Sequence, residues 1–132
     1  MPSLSNRTIL VVDDDKDIRE FVAEKISKMG QTVYTASCGS EAIKLLEDQI
    51  DSVDLLLSDI VMPGMTGIEL AESLARKTPE TKVILMSGFM QPSPTFGNAA
   101  EYEQGFIRKP FSGKTLANHV KKALDELEKQ LN

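Results

Sequence analysis

The chain is 132 residues long with a mass of 14.5 kDa, and its 20 acidic and 15 basic side chains give a formal net charge of −5 at pH 7. This length suits one domain, so we expect a single domain over residues 1–132 with its core over about residues 7–128. The acidic balance, with no block of basic residues, argues against direct binding of nucleic acid. A single cysteine excludes an internal disulfide, no apolar run is long enough to span a bilayer, and residues 1–7 do not resemble a signal peptide. We therefore expect a cytoplasmic protein that does not enter a membrane.

Apolar runs alternate with helical patterns along the chain. Strands are predicted at residues 8–12, 32–36, 53–58, 82–87 and 105–108. The helical patterns run from an Asp15 N-cap to Gly30, from Ser40 onward, over residues 68–77, and from about Gly113 onward. Five strands alternating with helices predict an α/β protein with a doubly wound, five-stranded parallel sheet and right-handed crossovers.

The stretch between the fourth and fifth strands departs from this alternation. Pro92 and Pro94 disfavour a helix there, because proline lacks the N–H and clashes with the preceding turn. We therefore expect a fourth helix that is short, over about residues 95–103, or absent.

Polar side chains stand at the carboxyl ends of four predicted strands. Asp13 and Asp14 follow the first strand, Asp59 follows the third, Ser87 ends the fourth, and Lys109 follows the fifth. In open parallel sheets, ligands bind in the crevice outside the carboxyl ends of the strands. The sequence therefore predicts a functional site formed by these five side chains.

The three aspartates repel one another, since two unit charges about 4 Å apart interact by several kcal/mol at an effective dielectric near 20. A divalent cation would relieve this repulsion, and an oxygen-only set with few carboxylates favours Mg²⁺. Lys109 and Ser87 are suited to binding phosphate oxygens. The only histidine, His119, lies late in the last helix, so no base for water is evident, and an aspartate can instead act as a nucleophile and form an aspartyl phosphate.

Four stretches carry a family resemblance: ILVVDDD at 9–15, DLLLSDIVMPGMTG at 54–67, VILMSG at 83–88 and FIRKPF at 106–111. They occur in order across nearly the whole chain, and together they resemble the receiver domain of two-component response regulators. The resemblance implies a flavodoxin-like receiver fold. It also implies that Asp59 accepts a phosphoryl group from a histidine kinase or a histidine phosphotransfer protein.

By the same resemblance, Asp13, Asp14, Asp59 and the backbone carbonyl of Val61 would bind Mg²⁺, Asp14 most directly. Ser87 and Lys109 would bind the phosphoryl oxygens. In the family, the lysine is followed by a cis peptide bond, here Lys109–Pro110.

Phe106 occupies the aromatic switch position, which together with Ser87 would change conformation on phosphorylation. Tyrosine is common at that position, and phenylalanine offers no hydroxyl. Val61 and Phe89 occupy positions at which the family often carries polar groups that orient water. Because both are apolar here, we expect slow self-dephosphorylation.

The setting of the domain stays open at this stage. The irregular stretch at residues 91–105 is similar to that of receivers at the C-termini of hybrid histidine kinases, so a free-standing regulator and a part of a larger kinase both fit. The apolar residues Val120, Leu124, Leu127 and Leu131 have a 4-3-4 spacing. They fit packing on the sheet, a homodimer contact, or the start of a coiled-coil connector to a further module.

Two other functions also remain open. One is an interaction module with the same fold that is never phosphorylated. The other is a phosphatase of the haloacid dehalogenase kind, which also uses an aspartate nucleophile and Mg²⁺. The stretch DDDKD at 13–17 lacks the Gly-Thr expected of that phosphatase, and the sequence has no cap domain.

Overall fold

The computed structural model describes residues 6–88 and 105–130 of the chain. The strands of the described residues are β1 (Thr8–Val12), β2 (Thr32–Ala36), β3 (Leu55–Asp59), β4 (Lys82–Ser87) and β5 (Phe106–Arg108). Their helices are α1 (Lys16–Ser27), α2 (Gly39–Asp48), α3 (Gly67–Lys77) and α4 (Gly113–Gln130). The strands form one sheet in the order β2-β1-β3-β4-β5, and every neighbouring pair is parallel, as predicted.

Strand β1 contributes to a hydrophobic cluster on each face of the sheet. Ile9 and Val11 pack with α1 and α4, whereas Leu10 and Val12 pack with α2 and α3. In β3, all five residues are buried. Helices on both faces explain why these strands are continuous apolar runs rather than alternating ones, and they confirm the doubly wound arrangement.

The ends of α1 follow the predicted signals. The Asp15 carboxylate accepts hydrogen bonds from the backbone N–H groups of Asp17 and Ile18, at 2.9 and 3.2 Å. Gly30 has a φ of +85°, a conformation that favours glycine. Helix α2 begins at Gly39, one residue before the predicted Ser40. A Cβ at Gly39 would lie 2.8 Å from the Met65 sulfur, so a larger residue there would have to displace the Met65 side chain.

The bounds of two strands differ from the prediction. Strand β3 begins at Leu55 rather than at residue 53 and extends to Asp59, and β5 begins at Phe106 rather than at residue 105. Asp54, just before β3, uses its carboxylate to accept the Thr8 N–H at 2.9 Å. Gly105 passes so close to β4 that a Cβ would lie 2.3 Å from the Val83 carbonyl oxygen.

The apolar stripe of α4 packs on the sheet. Val120, Leu124 and Leu127 are buried in the cluster that contains Ile9 and Val11, so their spacing is explained by packing within the chain. The homodimer stays a prediction, and these three side chains are not available for it. Leu131 and the expected helix at residues 95–103 lie outside the described residues.

None of the helices in residues 6–88 and 105–130 combines the length and the apolar character that crossing a membrane requires.

Candidate functional site

The parallel sheet brings the predicted polar side chains to one edge. Val12 is in register with Ser58, Asp59 with Met86, and Ser87 with Arg108. Asp13 therefore lies beside Asp59, and Lys109 lies beside Ser87. The backbone N–H of Lys109 donates a hydrogen bond to the Ser87 carbonyl oxygen at 2.7 Å, which joins the ends of β4 and β5.

Lys109 joins two of the carboxylates. Its Nζ atom lies 2.9 Å from Asp13 Oδ2 and 3.3 Å from Asp59 Oδ2. The Asp13 side chain is fully buried, and those of Asp59 and Lys109 are 10% and 17% exposed. The ammonium group is therefore held at the bottom of the crevice, shielded from most of the solvent.

One lysine does not neutralise the acidic cluster. Carboxylate oxygens of Asp13, Asp14 and Asp59 lie within 4.8 Å of one another. Burial raises the pKa of Asp59 to about 6, and the charges of Asp13 and Asp14 act in the same direction against the lowering effect of Lys109. Burial alone would lower the pKa of Lys109, but its hydrogen bond to Asp13 and the charge of Asp59 outweigh burial and raise it. The cluster is therefore electrostatically strained in the absence of a further cation.

The donor set suits a hard divalent cation. All candidate ligands are oxygens, and Asp14 is exposed at the mouth of the cluster, where a partly hydrated ion could reach it. The Asp13 carboxylate already has two partners, the Asp15 N–H at Oδ1 and the Lys109 Nζ at Oδ2. These residues fit Mg²⁺ better than Zn²⁺, which prefers nitrogen and sulfur ligands.

The loop after β3 folds back over Asp59. The Gly67 N–H donates to the Ile60 carbonyl oxygen at 2.9 Å. A Cβ at Gly67 would lie only 2.2 Å from the Asp59 carbonyl oxygen, so the backbone of α3 approaches the aspartate as closely as glycine allows. Within the loop, the Val61 side chain is 49% exposed.

Phe106 lies in β5, half-buried against a small cluster that contains Ile60, Ile68 and Leu85. The structure places it beside the strand that ends at Ser87. The peptide bond between Lys109 and Pro110 is cis, as the resemblance predicted. Phe89, the other apolar position singled out in the sequence, lies outside the described residues.

An apolar pocket adjoins the acidic cluster. It has a volume of about 490 Å³, and its lining includes Ile18 and Phe21 from α1, Pro110 and Phe111 after β5, and Lys109. Phe21, at 44% exposed, is one of two large apolar residues that are exposed among the described residues. The sequence predicts the helix that carries Ile18 and Phe21, but it gives no signal for the pocket, which depends on the position of the loop after β5.

A second feature missed in the sequence is Arg19. Its guanidinium group reaches back from α1 and donates a hydrogen bond from Nη1 to the Asp13 carbonyl oxygen at 2.8 Å. The acceptor is a backbone atom, so no pairing of side-chain charges in the sequence indicated it.

Residues 9–121 match the family model described as the response regulator receiver domain. The chain belongs to the response regulator receiver family. This receiver domain is 34% identical over 118 residues to the response regulator receiver protein CpdR of Brucella abortus, covering 89% of this chain and 97% of CpdR. It is 35% identical over 119 residues to the sensor kinase CckA of the same species, covering 90% of this chain but only 13% of the kinase.

A solved structure gives the same result for the fold. The CheY-like receiver domain protein from Methanospirillum hungatei superimposes with a TM-score of 0.82 at 30% identity, covering 96% of this chain and 99% of that one. The flavodoxin-like receiver fold predicted from the four sequence stretches is thus confirmed. Receiver domains are signalling domains rather than classical enzymes, and they interact with histidine kinases or phosphotransfer proteins.

Proposed function

We propose that this receiver domain is a phosphorylated switch in a two-component phosphorelay, with Asp59 as the phosphoacceptor. The observation that carries the proposal is the position of the Asp59 carboxylate, 3.3 Å from the Lys109 ammonium group and within 4.8 Å of two further carboxylates. This arrangement offers a nucleophile, a cation for phosphoryl oxygens and a set of metal ligands in one crevice.

In the proposed transfer, a carboxylate oxygen of Asp59 forms a bond to the phosphorus of a phosphohistidine. The bond from phosphorus to the imidazole nitrogen breaks, and that nitrogen keeps the electron pair. With a pKa of about 6, Asp59 is mostly ionised at pH 7 and therefore nucleophilic. Lys109 would then balance the charge of the new phosphoryl group, and Ser87, at the end of the adjoining strand, would bind one of its oxygens.

Asp13, Asp14, Asp59 and the Val61 backbone carbonyl would hold Mg²⁺. When bound, the ion supplies positive charge that stabilises the oxygens of the transferring phosphoryl group. Asp13 is held in place through both of its oxygens, whereas the exposed Asp14 is left to meet the ion directly.

The apolar pocket supports the proposed partner class, a histidine kinase or a histidine phosphotransfer protein. Ile18, Phe21 and Phe111 present apolar surface beside Lys109, so a partner helix packed on them would carry its phosphohistidine toward Asp59. Docking and chemistry would then occur on the same side of the sheet.

Phosphorylation would shift the domain between two conformations through Ser87, Lys109 and Phe106. Family membership favours this signalling role over the phosphatase of the haloacid dehalogenase kind.

We also propose that the chain is a single cytoplasmic domain. CpdR, which it covers almost completely, and CckA, of which it covers a small part, support a free-standing regulator and a kinase module respectively.

Intact-mass spectrometry after incubation with acetyl phosphate and Mg²⁺ tests the proposal. Wild type should gain the mass of one phosphoryl group, and Asp59→Asn should gain none, because its amide is a poor nucleophile. Asp17→Asn is the matched control, since it removes a carboxylate in the first turn of α1 that does not belong to the acidic cluster, and it should be phosphorylated like wild type. A chelator should prevent the reaction in wild type.

If wild type gains no mass under conditions that phosphorylate a known receiver domain, the experiment is repeated with a phosphohistidine protein as the donor. Failure there as well would contradict phosphorylation and favour the unphosphorylated interaction module. Equal mass gain in Asp59→Asn would contradict Asp59 as the acceptor.

A further inference from the structure

Arg19 contacts the acidic cluster through a backbone atom. It lies in the first half of α1, half-buried, and its Nη1 donates to the Asp13 carbonyl oxygen at 2.8 Å. A hydrogen bond from a charged donor is stronger than one between neutral groups, and the planar guanidinium loses little freedom in making it.

The hydrogen bond from Arg19 is one of four that hold Asp13 in place. The Asp13 N–H donates to the Ala36 carbonyl oxygen at 3.2 Å, its Oδ1 accepts the Asp15 N–H at 2.9 Å, and its Oδ2 accepts the Lys109 Nζ at 2.9 Å. With Arg19 at the carbonyl oxygen, all four polar atoms of Asp13 have partners. They come from β2, the β1–α1 turn, the loop after β5, and α1.

The residue on the other side of Asp14 is fixed as well. The Asp15 carboxylate caps α1 through Asp17 and Ile18, and the Asp15 carbonyl oxygen accepts the Arg19 N–H at 3.0 Å. Asp14 is exposed, so packing does not orient its side chain. Its position depends on the backbone of its two neighbours, and Arg19 contacts both.

We propose that Arg19 is a positioning residue for the cation site: it holds the β1–α1 turn so that the Asp14 carboxylate faces Asp59. This inference rests on the proposed function, because it concerns the metal ligands of that same site. In this role Arg19 would bind neither the ion nor the phosphoryl group. It acts through the backbone of Asp13.

The charge of Arg19 and its hydrogen bond predict opposite effects on metal binding. A positive charge near the cluster repels a cation, so loss of the charge alone would tighten binding. Loss of the hydrogen bond lets the turn move, which separates Asp14 from Asp59 and weakens binding. The direction of the change therefore distinguishes positioning from simple electrostatics.

The experiment is calorimetric titration of the full chain with Mn²⁺ and with Mg²⁺. Arg19→Met should raise the dissociation constant on the order of tenfold, as loss of an outer contact to a ligand typically does. The matched control is Lys16→Met, which removes a positive charge from the same turn of α1. Lys16 is 74% exposed and pairs with Glu20 at 3.9 Å, so this variant should leave the constant unchanged or slightly lower.

Arg19→Lys provides a second variant. Lysine keeps the charge and one donor but lacks the planar fork, so binding should be intermediate between wild type and Arg19→Met. If Arg19→Met does not fold, as judged by circular dichroism, the same comparison is made between Arg19→Lys and Lys16→Met, and weaker binding in Arg19→Lys alone supports positioning.

Phosphorylation by acetyl phosphate at varied Mg²⁺ gives an independent readout. In Arg19→Met, the Mg²⁺ concentration for half-maximal rate should rise, while the rate at saturating Mg²⁺ stays within about twofold of wild type. A structural defect unrelated to the metal would lower the saturated rate instead.

Equal or tighter metal binding in folded Arg19→Met overturns the inference and leaves the proposed function standing. Weaker binding in that variant, with a wild type that binds metal but is never phosphorylated, supports the inference and contradicts the proposed function. A wild type that binds neither ion overturns both.

Discussion

Each end of the sheet has a buried or half-buried basic side chain beside two carboxylates. The two clusters differ in how far their carboxylates are exposed to solvent. At the amino end, Arg7 lies 3.8 Å from Asp54 and 3.3 Å from Glu128, and the two acidic side chains are each 33% exposed. At the carboxyl end, Lys109 pairs with Asp13 and Asp59, which are nearly inaccessible.

The amino-end arrangement is structural. Water screens the Asp54 and Glu128 charges, and Asp54 also accepts the Thr8 N–H at 2.9 Å, so the cluster ties β1, β3 and α4 together. At the carboxyl end, burial of Asp59 is the main cause that raises its pKa, and the charges of Asp13 and Asp14 add to the rise. Similar ion pairs therefore leave the pKa values of their carboxylates different, depending on burial and on the balance of charge.

The largest loss of stability is expected for Gly67→Ala, which disturbs the carboxyl end of the sheet by a steric clash rather than by a change of charge. The added Cβ would lie 2.2 Å from the Asp59 carbonyl oxygen, so the β3–α3 loop must shift. We expect a loss of about 2–3 kcal/mol in the free energy of unfolding and slower phosphorylation. Urea denaturation measures the first effect, with Gly64→Ala, at a φ of +80° but with no atom near its Cβ, as the control. At Gly64 only the positive φ opposes a side chain, so a loss in Gly67→Ala no larger than that in Gly64→Ala would contradict the close approach as the cause.

Asp59→Asn should stabilise the metal-free protein at neutral pH. The Asp59 pKa is raised from 3.8 to about 6, so the folded state holds this proton more tightly than the unfolded state does. Stability from this group is therefore present below about pH 4, is lost as the pH rises toward 6, and is absent at pH 7. The asparagine variant avoids this loss, and its advantage should grow from near zero at pH 4 to at most about 3 kcal/mol at pH 7.

Urea denaturation of both proteins with a chelator, across this pH range, measures the difference. Asp14→Asn, at the exposed member of the cluster, is the comparison variant and should gain less. An advantage of Asp59→Asn that is constant with pH would contradict the assigned cause.

Val61→Asn tests the comparison between the two ends by placing a polar side chain at the carboxyl end, where it can orient a water molecule. Val61 is already 49% exposed, so the substitution should cost little stability, and its amide could align water for attack on the phosphoryl group. We expect dephosphorylation several-fold faster than in wild type, measured as the decay of the phosphorylated mass, with Val61→Ile unchanged. A wild-type half-life of only seconds would contradict the expected slow self-dephosphorylation.

The smallest effect is expected at the amino end. Asp54→Asn removes one charge of a screened pair, while its side-chain oxygen can still accept the Thr8 N–H. We expect a loss of about 0.5–1 kcal/mol that shrinks in high salt. Thermal or urea denaturation should thus show opposite signs for Asp54→Asn and Asp59→Asn at pH 7. If Asp54→Asn instead stabilised the protein at pH 7, the expected difference between the exposed and the buried carboxylates would be contradicted.

Much of the fold and the main site could be predicted, because both depend on local patterns and one topological rule. Continuous apolar runs such as residues 8–12 predicted strands covered on both faces, and the N-cap Asp15 and C-terminal Gly30 marked the ends of one helix. Since parallel strands end at one edge, Asp13, Asp59 and Lys109 could be placed together before any distance was known.

What could not be predicted involves contacts between distant parts of the chain. The Arg19 acceptor is a carbonyl oxygen, which every residue has, so sequence gives no signal for it. The pairing of Arg7 with Asp54 and Glu128 depends on how α4 passes the sheet. The pocket at Phe21 requires the relative position of α1 and the loop after β5. In each case the deciding quantity is a tertiary distance.

The hydrogen bond from the Lys109 N–H to the Ser87 carbonyl oxygen limits how the crevice can respond. It ties the backbone at Lys109 to the neighbouring strand. If Asp59 is phosphorylated as proposed, the lysine ammonium group would therefore follow the new charge by rotation about its side-chain bonds, while its backbone stays in place. We expect the amide proton of Lys109 to exchange slowly with solvent both with and without a phosphoryl group on Asp59.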